Sequence, residues 1–285
     1  MKKRKFAPYL LISPFILSFF ILFVYPAGYS LVLSFFNYRG YGTAKFIGFD
    51  NYSSLLHYSA FWKELDNTVF YFLMHIIPSI GLGFVFALIL SSSYIKSSNK
   101  LFKPILFLPQ VIPVSAIALI FRMIFQKNTG VINQMFGLSV PWLENPDIFR
   151  FCVVFLDCWR GIGWFMVIFL AGLTTISPDI YEAATIDGAS SLRQVFAITI
   201  PLMKPTFIFA FLMDAITSFK VYASVNVLYS GAVEANTDVA PIMNQITSNI
   251  SGGQFGKAAA AGWILFLLIF IITAIEKKLI AGKGN

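Results

Sequence analysis

Six apolar runs, at about 8–36, 67–90, 103–125, 151–173, 205–230 and 258–275, each reach the roughly 20 residues that a helix needs to cross the hydrocarbon of a bilayer. In hydrocarbon every backbone N–H and C=O must be satisfied within its own segment or within a closed sheet, so unbroken runs of this length specify helices. Six of them predict an all-α membrane protein in one transmembrane domain over residues 1–285. Composition leaves little room for a soluble fold: mean hydropathy is +0.76, 58% of the residues are hydrophobic, and only 12% are charged. Lys2, Lys3, Arg4 and Lys5 precede the first run as in a signal peptide. That run is about twice the length of a cleavable core and lacks a small-residue cleavage site, so it reads as an uncleaved anchor.

The charges between the runs set an orientation. With both termini on the cytoplasmic side, twelve of the 21 Lys and Arg residues fall inside: Lys2, Lys3, Arg4, Lys5, Lys96, Lys100, Lys103, Arg193, Lys204, Lys277, Lys278 and Lys283. Six fall outside (Arg39, Lys45, Lys63, Lys127, Arg150 and Lys257), among seven acids: Asp50, Glu64, Asp66, Glu144, Asp147, Glu234 and Asp238. The sequence pI of about 9.4 is therefore a topology signal. A nucleic-acid partner, which requires a solvated basic face, is not indicated.

Chemistry-bearing motifs are sparse. Cys152 and Cys158 lie in the fourth run without metal-ligand spacing, and read as small buried side chains. His75, alone in the second run, reads as a packing or hydrogen-bonding residue rather than a proton relay. The pairs Gly256–Lys257 and Gly282–Lys283 lack the upstream glycine and the following Ser or Thr of a P-loop, so ATP hydrolysis is not expected of this chain. No catalytic, metal-binding or cofactor-binding constellation is expected.

One stretch breaks the apolar pattern: residues 177–205, SPDIYEAATIDGASSLRQVFAITIPLMKP. Ser177 before Pro178 is a helix start, and Asp179 and Glu182 suit the positive end of the helix dipole. Ala183 and Ala184 leave that helix without bulk, and Gly188 permits a sharp bend. A second helix starts at Ser190 or Ser191, to be stopped by Pro201 and Pro205. The expected form is helix, hinge, helix.

Glu182, Ala183, Ala184, Asp187, Gly188, Ala189, Ile198, Pro201 and Pro205 match the spacing of the EAA loop, so the chain resembles the membrane subunits of binding-protein-dependent ABC importers. More narrowly it resembles carbohydrate permeases of the maltose and glycerol-phosphate type. Pro14–Phe15, Tyr25–Pro26, residues 46–52 (FIGFDNY), Asn67–Thr68, Leu108–Pro109, Pro141–Trp142–Leu143 and Phe255–Gly256 carry that resemblance along the whole chain. It implies a type I importer fold and a second, homologous permease subunit as a heterodimer partner. It further implies two ATPase subunits that hold ATP and Mg and dock on the EAA loop, an extracytoplasmic solute-binding protein, and a place in the bacterial cytoplasmic membrane. The first outer loop here is only about thirty residues, so contact with the binding protein should rest on short loops.

Ionisable residues inside membrane helices are default pointers to a pathway. Asp157 and Arg160 are three apart on one helix face and pair there or contact substrate. Arg122 snorkels or binds a loop carboxylate. Asp214 and Lys220, near Thr217, Ser218, Tyr222 and Asn226, make the fifth run the better candidate for a sugar site. By the family alignment the substrate path comprises Gly161, Ile162, Phe165, Asp214, Thr217, Ser218 and Val221. Trp164 and Tyr222 face lipid, pack, or serve as sugar platforms. Asp214 and Lys220 suit an acidic or amino sugar, or form ion pairs with each other or with another subunit. The expected function is the membrane half-channel of an ATP-driven sugar or oligosaccharide importer. The alternatives are an ABC permease for another solute, an ion-coupled secondary transporter, which would require inverted repeats and broken helices, and, last, an intramembrane enzyme.

Overall fold

The first apolar run forms one helical rod in three pieces: α1 (Ala7–Phe19), a π turn (Phe20–Val24) and α2 (Tyr25–Leu33). The π turn ends two residues before Pro26, whose missing N–H and bulky ring remove an i→i−4 bond and let the preceding turn widen. The structure, a computed structural model, describes residues 7–91, 99–229 and 236–281. Lys2, Lys3, Arg4, Lys5, Lys96, Glu234, Gly282 and Lys283, counted above, lie outside the described residues.

Two compact units partition the chain. The first joins Met1–Trp62 to Gln245–Leu267. After α2 come two-residue strands β1 (Phe36–Asn37) and β2 (Lys45–Phe46), paired antiparallel, then α3 (Asp50–Leu56). Here the FIGFDNY segment acquires its reason. Gly48 turns at φ +60°, Asn51 Nδ2 donates to the Ser34 and Phe36 carbonyls at 2.8 and 3.0 Å, and the Tyr52 and Ser34 hydroxyls meet at 2.7 Å. Gly256, near the start of α15 (Phe255–Ala281), sits so close to this turn that a Cβ there would lie 1.9 Å from the Phe36 carbonyl oxygen.

The second unit joins Lys63–Asn244 to Leu268–Asn285. Its long helices are α4 (Ser59–Ser91) and α8 (Pro146–Leu173). The helix α4 begins eight residues before the expected start at 67, because its polar first turns are folded into the protein. Glu64 is 1% exposed and accepts from Asn244 Nδ2 at 2.8 Å. Asn67 donates to the Thr237 and Ala240 carbonyls, Thr68 Oγ1 accepts from the Ile242 N–H, and Tyr71 donates to the Val239 carbonyl. Beneath this network Tyr71, Ile117, Phe149, Val153, Leu156, Val225 and Leu228 form the apolar core.

Two expected spans are broken. The third run is α5 (Asn99–Val111) and α6 (Val114–Ile124), bent by 94° at Ile112–Pro113. Proline disfavours helical backbone at the residue before it and cannot donate back across the break. In place of one span at 205–230, α12 (Lys204–Ser218) stops, and α13 (Ala223–Leu228) starts only after a four-residue break. At that stop the N–H groups of Lys220 and Val221 turn back on the Thr217 and Ser218 carbonyls, and Phe219 is buried against the Phe72 ring, centroids 5.0 Å apart. The helix also enters through a 69° bend at Met203 from the preceding segment, Ser191–Leu202. Among the described residues four unbent helices, Tyr9–Leu33, Ser59–Ser91, Pro146–Leu173 and Phe255–Lys278, are long and apolar enough to cross a membrane, and counting each of the two bent pairs as one span brings the total to six.

Loops are held as firmly as helices. Asn133, in α7 (Val131–Phe136), donates to the Lys127 and Val140 carbonyls and accepts from Trp142 Nε1 at 2.8 Å. The Pro141–Trp142–Leu143 stretch thus serves as a plug, and Asn145 then caps α8 through the N–H groups of Asp147 and Ile148.

Candidate functional site

On α8 a single face carries Val153, Val154, Asp157, Arg160, Gly161, Trp164 and Phe165, spaced at one helical turn, and all of them line a cavity of about 330 Å³ within the second unit. Tyr71 and His75 from α4 close one side. Gln110 and Val114 come from either side of the α5/α6 break, and Lys220, Val221, Tyr222 and Ala223 from the break after α12. Irregular backbone is tolerated at membrane depth only where it is buried in protein or lines a cavity, and both breaks open on this one.

The wall is polar where it needs to be. Asp157 Oδ2 accepts from Ser224 Oγ at 2.9 Å, and its other oxygen lies 3.8 Å from Arg160 Nη1. Arg160 Nε is buried without a hydrogen-bond partner among the described residues, which costs about 1–3 kcal/mol. Trp164 stacks on Phe107 at 6.4 Å with 28° between the rings, and its indole lines the cavity. On the α4 side of the wall His75 lies 2.8 Å from Asp214 Oδ1, 3.2 Å from Ser218 Oγ and 3.0 Å from Ser79 Oγ. Gly161 makes room for that imidazole, since a Cβ there would meet His75 Nε2 at 3.1 Å.

Of the expected path residues, Gly161, Phe165, Thr217, Ser218, Val221 and Tyr222 come together on the cavity, as do Asp157, Arg160, Trp164 and Lys220. Asp214 does not. Its side chain is 0% exposed, and it stands behind Ser218 and His75, 2.8 Å from the imidazole Nδ1 and accepting from the Ser218 hydroxyl at 3.4 Å. Ile162 and Asn226 are also absent from the wall. Sequence reading missed Tyr71 and Gln110. Tyr71 stands one turn from His75, a spacing that held the signal. Gln110 is brought in only by the bend.

The 177–205 segment forms the expected helix, hinge, helix. Ser177 caps α9 (Pro178–Ile186) by accepting from the Asp179 N–H at 3.4 Å. The helix ends in a Schellman turn: Gly188 at φ +78°, its N–H on the Thr185 carbonyl, and the Ala189 N–H on the Ala184 carbonyl. Asp187 is the last residue before that turn. Ser190 caps α10 (Ser191–Gln194). Pro201 does not stop the second helix: a π turn (Val195–Thr199) absorbs its missing bond and α11 (Ile200–Leu202) carries on to the bend at Met203. Glu182 and Ala183 are exposed and Ala184 is buried. Around them Ile186, Leu192 and Phe196 are 87%, 72% and 68% exposed, an apolar group on a polar loop.

Residues 79–281 match the model of the family described as the binding-protein-dependent transport system inner membrane component. The chain belongs to that family. Among curated family members it is 34% identical over 278 residues to the arabinooligosaccharides transport system permease protein AraP of Halalkalibacterium halodurans, covering 96% of this chain and 87% of that one. It is 27% identical over 291 residues to the sn-glycerol-3-phosphate transport system permease protein UgpA of Escherichia coli O6:K15:H31, covering 99% and 96%. A crystal structure of a bacterial ABC transporter that imports the acidic polysaccharide alginate contains a chain of the same fold, with TM-score 0.85 and 22% identity over 99% and 98% of the two chains. Family membership makes the chain a membrane-spanning transport component, not an ion-coupled secondary transporter, although two of its helices are broken.

Proposed function

We propose that the chain forms half of the translocation path of an ATP-driven importer of a sugar or oligosaccharide, in the bacterial cytoplasmic membrane with both termini inside. The cavity carries this reading. The Trp164 indole, hydroxyls from Tyr222, Thr217 and Ser218 and an amide at Gln110 are the groups that grip a hydroxyl-rich ring with one apolar side. The names of the relatives support the substrate class.

A second, homologous permease subunit completes the path, and it or lipid covers the Tyr9–Leu33 helix, none of which is buried within the chain. Two ATPase subunits, which bind ATP and Mg, take the 177–205 loop into a cleft. Ile186, Leu192 and Phe196 supply apolar contact there, and Glu182, Ala183, Ala184, Asp187, Gly188, Ala189 and Pro201 set its shape. A solute-binding protein delivers substrate to the opposite face. The supporting observation for that partner is a solved complex of the same fold with a pentasaccharide-bound periplasmic protein.

The test is ATP hydrolysis and saccharide uptake by the whole importer in proteoliposomes, with arabino-oligosaccharides and neutral hexose oligosaccharides as probes. Stimulation by a loaded binding protein, together with saccharide uptake, is expected. Uptake confined to amino acids or inorganic ions would refute the sugar reading.

A further inference from the structure

The charges on the cavity wall do not balance. Asp157 is the one carboxylate on it, held by Ser224 and close to Arg160, while Lys220 lines the same cavity without an ion pair among the described residues. The sequence left two partners open for Lys220, and the structure removes the nearer one, because Asp214 is fully buried beside His75. The wall therefore holds two cations, Arg160 and Lys220, against one carboxylate, Asp157.

We propose that this cavity takes a saccharide bearing an anionic group, a uronate carboxylate or a sugar phosphate, with Lys220 as the ion partner. The proposal rests on the sugar reading above. An amino sugar is disfavoured: its ammonium would face Lys220, and the carboxylate it needs is already committed to Ser224 and Arg160. Trp164 gives the sugar ring its apolar platform, so charge and stacking act on different parts of one ligand.

The experiment uses the complete importer in detergent without its binding protein, so that selection by that protein does not enter. Binding is measured calorimetrically for trigalacturonate and its carboxyl-reduced neutral counterpart, and for glucose 6-phosphate and glucose. One charged member should bind about tenfold tighter than its neutral twin, as expected for one charge-assisted contact, and which pair shows the gap identifies carboxylate or phosphate. Lys220→Gln should erase the gap by weakening the charged member about tenfold, and Lys220→Arg should keep it. Equal binding of charged and neutral twins would overturn the inference and leave the sugar reading standing. A gap that survives Lys220→Gln would also overturn it. Binding of citrate with none of the four saccharides would instead bring down the sugar reading, and the inference with it.

Discussion

At position 163 an added methyl group would lie 2.0 Å from the Leu106 carbonyl oxygen and 3.0 Å from the Phe107 Cα, both backbone atoms of α5, so that helix would have to move away from α8. Close approach through small residues is how helices associate where no hydrophobic drive exists between them. Gly163→Ala should therefore cost about 1–3 kcal/mol of overpacking. Gly161→Ala, whose nearest neighbours are the ends of the His75 and Ser79 side chains, should cost less. Thermal unfolding of the purified complex ranks the two, and equal midpoints would remove the packing argument. Asp214 makes a second case at this scale. Deleting its carboxylate leaves His75 and Ser218 facing a hole, and losing one member of a buried pair costs about 3–5 kcal/mol, so Asp214→Ala should fail to assemble. Asp214→Asn keeps the shape and should assemble with reduced thermal stability and unchanged half-saturation for uptake. Ser218→Ala, which alters the wall itself, is the change that should shift half-saturation. A shift with Asp214→Asn at full stability would place Asp214 in contact with substrate.

Hydropathy gave away the existence of each span, since a run of twenty apolar residues has one solution in lipid, but not the two breaks. Pro113 marked one of them openly. The other, at 219–222, has no proline or glycine, and depends on Phe219 finding a pocket and on Thr217 returning its hydroxyl to the Met213 and Asp214 carbonyls, which are tertiary and local choices invisible to a window average. Half of the cavity was legible for the same reason that the helices were: on α8 it follows one face. The rest comes from the breaks. The 177–205 loop was legible nearly in full because caps and hinge are local chemistry. Gly188 has open space around it, so a side chain there meets no clash and only the left-handed backbone resists, at roughly 1–2 kcal/mol per residue. Gly188→Val should thus uncouple binding-protein-stimulated ATPase activity while the spans still fold, and Gly188→Asn, which tolerates this conformation, should restore most of it. Glu182→Ala should weaken co-purification of the ATPase by ten- to a hundredfold, the loss of about one charge-assisted hydrogen bond at a partly buried contact. Wild-type coupling in both Gly188→Val and Glu182→Ala would show that transmission runs elsewhere.

Across the whole chain the consistent feature is the distribution of charge among the segments between the spans. Lys103, Arg193, Lys204, Lys277 and Lys278 lie in or beside the segments read as cytoplasmic, whereas the segments read as outer mix both signs and tie them together, as in Lys63 with Asp238, Lys127 with Glu144 at 3.6 Å, and Arg150 with Asp147 at 2.7 Å. Lys and Arg in short loops near the helix ends are retained on the side of synthesis. On that argument we propose that residues 174–204 are cytoplasmic and 126–150 face outward. Both native cysteines, Cys152 and Cys158, are buried and replaceable by alanine or serine, which allows single cysteines to be placed at the exposed positions 144 and 190. A membrane-impermeant maleimide added to intact cells should modify position 144 and spare position 190 until the membrane is opened. Labelling of 190 from outside, with 144 protected, would invert the molecule, place the docking loop out of reach of any ATPase, and withdraw the coupling role along with the orientation.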